Sequence, residues 1–174
     1  MPRQPWIDAA TLLSRLHDAA GEDLPERFAA AVPSPADAIA TDPPPSEPRL
    51  GGDVAIAAAA AARYDRWMTA IAERDADWFE ATFAPELVVR NPAKDQVHDR
   101  AAMIALELRI PALAAETRWV AAARDGDVVL SAWRARLRPA DDHGAPWTEA
   151  RFGSVWETGP APRLLRHVRL VDPR

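Results

Sequence analysis

Two histidines are the side chains best suited to proton transfer. His167 lies in the predicted final strand, on the same face as Arg169. His98 lies beside Asp99 at the start of a predicted helix. An imidazole titrates near neutral pH, so either ring can serve as a general acid or base. The alternatives are that His167 is a hydrogen-bonded sheet residue and that His98 is a solvent-exposed loop residue.

A second group of residues is suited to binding a flat apolar ligand. Trp67, Trp119, Trp133 and Trp156 fall within predicted helices or strands, and aromatic walls accommodate such ligands well. Core packing is the alternative, because a domain of this size needs large buried side chains. The candidate ligand-binding residues are Tyr64, Trp67, Asn91, Met103, Trp119, Trp133 and Trp156.

Composition and spacing argue against several other kinds of site. The chain has no cysteine and no two histidines at helical or hairpin spacing, so no metal site and no disulfide is predicted. Neither a glycine-rich phosphate loop nor a nucleophile elbow occurs, and no cofactor is predicted. The net charge of −5 argues against a nucleic-acid partner.

Neither a membrane span nor a signal peptide is predicted. The alanine-rich run Val54–Ala62 is too short to cross a bilayer and is followed at once by charged residues. The N-terminal segment Trp6–Ala20 is interrupted by charged side chains, unlike the apolar centre of a signal peptide. These features, with the absence of cysteine, favour a cytoplasmic protein.

Three helices are predicted in the main domain. The candidate residues Tyr64 and Trp67 lie on the first of them, and Met103 lies on the third. Asp53, Asp75 and Asp99 each precede apolar residues at three- and four-residue spacing, as N-cap residues of amphipathic helices do. The third helix is expected to reach Ile110, because Pro111 disfavours helical backbone in the residue before it.

The other candidates are placed on strands. Asn91 falls on the same side of its strand as Leu87 and Val89, and after Pro111 the hydrophobic period changes from about 3.6 to 2. Helices followed by an antiparallel meander predict an α+β fold with the helices on one face of the sheet. The predicted strands are Leu87–Asn91, Gln96–His98, Thr117–Ala123, Val128–Arg138, Trp147–Glu157 and Leu164–Val171.

Two regions are distinguished along the chain. Residues 1–52 are predicted to form an N-terminal helical arm and a Pro-rich linker, since the helical pattern of Pro5–Ala20 gives way to the segment PSPADAIATDPPPSEPRLGG. Residues 53–174 are predicted to form the main domain. The arm is expected to pack on the main domain or on a second subunit, and a separate docking peptide and disorder are the alternatives.

Three segments carry a resemblance to a known family. The segment WMTAIAERDADWFEATFAPELVVRNP, Trp67–Pro92, resembles the helix–helix–strand opening of SnoaL-like and DUF4440-like members of the nuclear transport factor 2 superfamily. Gly126–Val129 is similar to their hairpin into the longest strand, and RFGSVWE to one of their paired C-terminal strands. The resemblance covers about Asp53 to Asp172. It implies a cone-shaped cup, in which about three helices pack on one face of a curved antiparallel sheet, and a homodimer formed through that sheet.

The resemblance also bears on catalysis. In ketosteroid isomerase-like relatives, an aspartate before the proline that follows the first strand removes a proton, and a tyrosine on the first helix helps to hold the enolate oxygen. The matching positions in this sequence are Asn91 and Trp67. An amide does not accept a proton near neutral pH, whereas an indole N–H still donates a hydrogen bond. Ketosteroid-type isomerisation is therefore not expected.

Two functional hypotheses follow. The first is a non-catalytic module whose tryptophan-lined cup binds a small apolar molecule. The alternative is a SnoaL-like acid–base enzyme, a cyclase, dehydratase or isomerase acting on an apolar or polyketide-like substrate, with His167 or His98 in proton transfer. The two are distinguished by whether His167 and Asn91 point into one cavity, since a solvent-facing His167 deprives the enzyme of its best proton carrier.

Overall fold

The structure is a computed structural model that describes residues 48–91 and 94–171. The predicted N-terminal arm and most of its linker, residues 1–47, lie outside the described residues. The helices are α1 (Val54–Glu73), α2 (Ala76–Thr82) and α3 (Arg100–Glu107). The strands are β1 (Arg49–Gly52), β2 (Phe83–Asn91), β3 (Gln96–Asp99), β4 (Leu113–Asp125), β5 (Val128–Pro139), β6 (Thr148–Glu157) and β7 (Leu164–Val171).

Each helix begins after an aspartate that caps it. The carboxylates of Asp53, Asp75 and Asp99 accept the backbone N–H three residues further on, at 3.1, 3.0 and 2.8 Å. Each bond satisfies one of the N–H groups that a helix start leaves unpaired. The three predicted N-caps are therefore confirmed. Helix α3 ends at Glu107, three residues before the predicted end at Ile110.

The seven strands form one sheet in the order β1-β4-β5-β6-β7-β2-β3. The four long strands β4 to β7 pair antiparallel in sequence order, which confirms the predicted meander. Two pairings are parallel, β1 with β4 and β2 with β7, and they make the sheet mixed. Arg49–Gly52 falls in the predicted linker, but these residues form an edge strand, because pairing with β4 needs only backbone groups and Pro48 lies just before it.

Strand β2 begins four residues earlier than predicted. Its register against β7 is interrupted between Phe83 and Val88, so Pro85 lies in an irregular stretch where its missing N–H breaks no regular ladder. Beyond the interruption, Leu87, Val89 and Asn91 are buried and Val88 and Arg90 are exposed, as the predicted alternation requires.

All three helices pack on one face of the sheet. The buried side of α1 is rich in alanine, which allows the helix backbone to approach the sheet closely, and it joins the core with Phe79 of α2 and Met103 of α3. Register shifts in β4 and between β6 and β7 mark bulges, and bulges bend a sheet. The result is an open α+β cone with a space between the helices and the concave face.

The opposite face carries a stripe of arginine side chains on β5. Arg134 forms an ion pair with Glu149 of β6, and Arg136 pairs with Glu116 of β4 at 2.9 Å. Small and aliphatic side chains at the centre of this face, including Leu130 and Val168, are buried. In the described ranges 48–91 and 94–171, no helix is long and apolar enough to cross a membrane.

Candidate functional site

A cavity of about 210 Å³ lies between the helices and the concave face of the sheet. Four α1 residues at helical spacing form one wall, and alternate residues of β5, β6 and β7 form the other. The cavity is lined by Tyr64, Trp67, Met68, Ile71, Glu107, Ile110, Leu113, Trp133, Leu137, Thr148, Ala150, Phe152, His167 and Arg169.

Aromatic rings make up much of this lining. Strand register places Trp133 of β5 directly across from Phe152 of β6, and their rings stack at 5.1 Å with an angle of 4° between planes. The ring of Tyr64 stacks on Trp133 at 5.4 Å from the helix side. Such contacts hold flat rings rigidly in place, so the wall is preformed for a flat apolar group.

A chain of buried hydrogen bonds runs beneath the aromatic wall. Register sets Ser131, Ser154 and His167 side by side on adjacent strands, and Tyr64 reaches down to them from α1. The Tyr64 hydroxyl lies 2.9 Å from Ser131 Oγ and 3.1 Å from Ser154 Oγ, and Ser154 Oγ lies 2.9 Å from His167 Nδ1. At the far end, Trp156 Nε1 donates to Ser131 Oγ at 3.0 Å.

Burial keeps both titratable members of this chain neutral near pH 7. It lowers the pKa of His167 from its ordinary 6.5 to about 3, because the cationic ring loses its hydration. It also raises the pKa of Tyr64, an effect that the serine hydrogen bonds oppose. His167 is 2% exposed, and its Nε2 has no hydrogen-bond partner among the described residues.

One ion pair stands in the cavity wall. Glu107 at the end of α3 is 0% exposed, and its Oε2 accepts the indole N–H of Trp67 at 2.9 Å. Its other carboxylate oxygen pairs with the guanidinium of Arg169 on β7. Burial lowers the pKa of Arg169 from 12.5 to about 10, so the side chain stays charged at neutral pH. The pair therefore adds two opposite charges and no net charge to the cavity.

Glu107 lines the cavity but is not among the residues predicted from the sequence. A carboxylate four residues after Met103 lies on the same face of α3, and a charge on a buried helix face is the signal that could have identified it. Its partner Arg169 lies on the face of β7 that carries His167, as predicted.

The structure brings together four of the predicted site residues. Tyr64, Trp67, Trp133 and His167 line the same cavity. Trp156 is fully buried behind them, with its ring edge-on to Tyr64 and Trp67, and it belongs to the site through its bond to Ser131.

The remaining predicted site residues lie elsewhere. Met103 is packed in the core, and Trp119 lies on β4 without lining the cavity. Asn91 is buried at the end of β2, outside the cavity lining, so it and His167 do not share one cavity. His98 lies on the edge strand β3, across from Val89, and is half-buried.

The family described as SnoaL-like domain matches residues 64–161. No curated protein matches the sequence significantly.

Several solved structures share the fold at low sequence identity. The S. rosetta CaMKII hub is 19% identical with a TM-score of 0.55, over 66% of this chain and 95% of that chain. ActVI-ORFA from Streptomyces coelicolor is 17% identical with a TM-score of 0.52, over 68% of this chain and 98% of that one. A putative ketosteroid isomerase from Shewanella frigidimarina is 8% identical with a TM-score of 0.50, over 64% and 94%. At these identities the likeness shows the fold alone, and it confirms the predicted α+β cone.

Proposed function

The chain belongs to the SnoaL-like domain family, and we propose that its cup binds one small, largely apolar molecule without ketosteroid-type chemistry. The observation that carries this proposal is the preformed aromatic wall of the cavity, in which Trp133 is stacked between Tyr64 and Phe152. Aromatic stacking of this kind suits a flat ring system, because it supplies apolar contact at little cost in conformational entropy.

The size of the cavity limits the ligand. A dry cavity of about 150 Å³ lined by apolar side chains is large enough for benzene. The cavity of about 210 Å³ is therefore large enough for about two fused rings.

The groups that could accept a proton are poorly suited to general-base catalysis. A general base works best when its pKa lies near the working pH. His167, with a pKa of about 3, is a weak base at pH 7, and Asn91 lies outside the cavity. Glu107 already accepts hydrogen bonds from Trp67 and pairs with Arg169. These facts favour the binding module over the acid–base enzyme.

In the alternative hypothesis of an acid–base enzyme, Glu107 is the candidate for the general base. A cyclase, dehydratase or isomerase acting on a polyketide-like substrate would need a base in the cavity, and Glu107 is the carboxylate that lines it. Glu107→Gln keeps the size and the acceptor for Trp67 but removes the base. If any turnover found with a candidate substrate vanished in this folded variant, the enzyme hypothesis would replace the binding module.

The binding proposal is tested by filling the cavity. Ala150 is buried in the lining, so Ala150→Leu places extra methyl groups where a ligand would lie. Ala58→Leu makes the same change on the exposed side of α1 and serves as the control. Calorimetric titration with the two-ring hydrocarbon tetralin is expected to show binding to the wild type and the control and a loss of at least about tenfold in Ala150→Leu.

Native mass spectrometry of the purified full chain complements this titration. A molecule that co-purifies with the wild type and is lost from Ala150→Leu would support the proposal and identify the ligand. Tetralin affinity unaffected by Ala150→Leu would contradict it, provided that the variant unfolds cooperatively like the wild type.

A further inference from the structure

We infer that the buried hydrogen-bond chain from Trp156 holds His167 as the Nε2–H tautomer, so that the cavity selects a ligand with a neutral hydrogen-bond acceptor, such as a ketone carbonyl. The part concerning the ligand rests on the proposed function. The part concerning the tautomer is a property of the protein alone. Ser131, Tyr64 and Ser154 are positioning residues in this arrangement, and His167 is the residue that contacts the ligand.

The indole of Trp156 sets the direction of donation along this series of hydrogen bonds. An indole N–H donates and does not accept, so Ser131 Oγ must act as the acceptor of Trp156 Nε1. The hydroxyl proton of Ser131 is then free to be donated to the Tyr64 oxygen 2.9 Å away. Tyr64 in turn donates to Ser154, and Ser154 donates to Nδ1 of His167. A neutral imidazole that accepts at Nδ1 carries its proton on Nε2.

The reverse direction leaves a buried group unsatisfied. If His167 donated from Nδ1, the donors would run through Ser154 and Tyr64 to Ser131. The Ser131 oxygen would then receive both the Tyr64 hydroxyl and the Trp156 indole, and its own proton would have no acceptor among the described residues. The forward direction leaves only Nε2 of His167 unpaired, whereas the reverse direction leaves both Nε2 and the Ser131 proton unpaired, so the direction from Trp156 to His167 is preferred.

His167, the last residue of the hydrogen-bond chain, is one of the residues that line the cavity. The imidazole of His167 lies between the rings of Trp67 and Phe152, at 5.2 and 5.3 Å, and all three residues line the space. Its Nε2 is buried and without a partner within the described part of the chain. A buried donor without a protein partner gains from a ligand that supplies an acceptor.

The surrounding charges favour a neutral acceptor over an anion. The positive charge of Arg169 is balanced by Glu107, which lines the same cavity. A ligand carboxylate would therefore meet a carboxylate without gaining an unpaired cation, and its desolvation would be poorly compensated. A carbonyl on a two-ring skeleton accepts from Nε2–H and keeps the remainder of the molecule apolar.

The tautomer is tested without any ligand. Long-range ¹H–¹⁵N correlation spectra of the full chain labelled in histidine resolve the protonated and unprotonated ring nitrogens, and His167→Gln identifies the signals. At pH 7 His167 is expected to show a protonated Nε2 and an unprotonated Nδ1. Ser131→Ala removes the hydroxyl that donates to Tyr64. A mixture of the two His167 tautomers is then expected, although Ser131 does not contact His167.

A matched control separates this effect from general perturbation. Thr69→Ala removes an exposed hydroxyl that bonds only within α1, so the His167 spectrum is expected to match the wild type. A protonated Nδ1 in the wild type would overturn the inference. So would a Ser131→Ala spectrum identical to that of the wild type.

The ligand preference is tested with 1-tetralone and tetralin, which differ by one carbonyl group. Calorimetric titration of the full chain is expected to show tetralone binding about fivefold to tenfold more tightly, and this ratio is expected to fall toward one in Ser131→Ala. Equal wild-type affinities would overturn the preference while leaving the cavity as a binding site. Binding of neither probe would contradict the proposed function and the preference together, and the spectra would still decide the tautomer.

Discussion

At the scale of single residues, the site combines an apolar wall with a small number of polar groups that are almost fully paired. Glu107 and Arg169 neutralise each other, and the carboxylate also fixes the indole of Trp67 in the wall. Desolvating two charges is expensive, so such a pair is costly to break although it adds little net stability when complete. Its structural effect is to tie the end of α3 to β7 beside the cavity.

Glu107→Gln is expected to lower the free energy of unfolding by about 3–5 kcal/mol, because it leaves the charge of Arg169 buried without its partner. Urea denaturation followed by circular dichroism measures the loss. Glu73→Gln is the control, since Glu73 pairs with Arg66 on the surface at 3.5 Å and its removal is expected to change little. Equal losses of unfolding free energy in the two variants would show that the buried pair contributes no more to stability than the surface pair.

His167 makes stability depend on pH. Its pKa is about 3 in the folded protein and near 6.5 when exposed, so below pH 6.5 the unfolded chain binds a proton that the folded chain does not. The free energy of unfolding is therefore expected to fall with decreasing pH between about 6.5 and 3, by up to about 1.4 kcal/mol per pH unit. His167→Gln is expected to show a shallower slope in urea titrations across this window, and an unchanged slope would refute the assignment.

At the scale of elements, the helices are defined by their starts and the strands by their pairing. The carboxylate caps act over three residues, so each helix begins where the local sequence dictates. Strands need a partner, which explains why β1 forms in a segment without a strand pattern and why β2 extends back through Pro85. The site depends on both, since α1 and α3 carry the helix side and β5 to β7 carry the sheet side.

Removing the N-cap of α3 tests whether the start of this helix depends on its local hydrogen bond. Asp99→Ala is expected to lower the free energy of unfolding by about 1 kcal/mol, because the N–H of Ala102 loses its acceptor. Asp141→Ala, in the exposed loop after β5, is the control for loss of a negative charge. Thermal denaturation of both variants measures the difference, and similar shifts in the midpoint temperature would argue against the capping role.

At the scale of the whole molecule, a homodimer formed through the sheet stays a prediction, and so does a cytoplasmic location. The charged stripe on the sheet face opposite the helices is the surface that such a dimer would use, and its Arg136 side chain is about half exposed. The residues of the predicted arm lie outside the described part of the chain.

Sedimentation equilibrium is expected to show a species of twice the 19.0 kDa of one chain. Arg136→Glu is expected to weaken the dimer, because it places like charges beside Glu116 on the stripe. A shortened chain beginning at Pro48 keeps β1 and separates association through the sheet from association through the arm. A monomer of the full chain at micromolar concentration would contradict the dimer prediction.

Local features of the sequence were enough to predict the three helix starts, the alternation in β2, the long antiparallel strands and the SnoaL-like family, whereas the DUF4440-like resemblance is not confirmed. Caps, turns and hydrophobic periods involve residues close along the chain, so they can be recognised without the fold. Tyr64, Trp67, Trp133 and His167 were likewise identified by residue type and position within an element.

Only the tertiary structure decided which of these residues form one site. The register that aligns Ser131, Ser154 and His167, and the meeting of Glu107 with Arg169, join residues distant in the sequence. Val89 pairs with His167, so Asn91, two residues further along β2, lies on the same face of the sheet as His167. Its place at the end of β2 nevertheless leaves it outside the cavity lining, which the sequence alone does not reveal. A period-two pattern specifies two faces of a strand, but strand pairing and packing of the helices determine which face becomes the wall of the cavity.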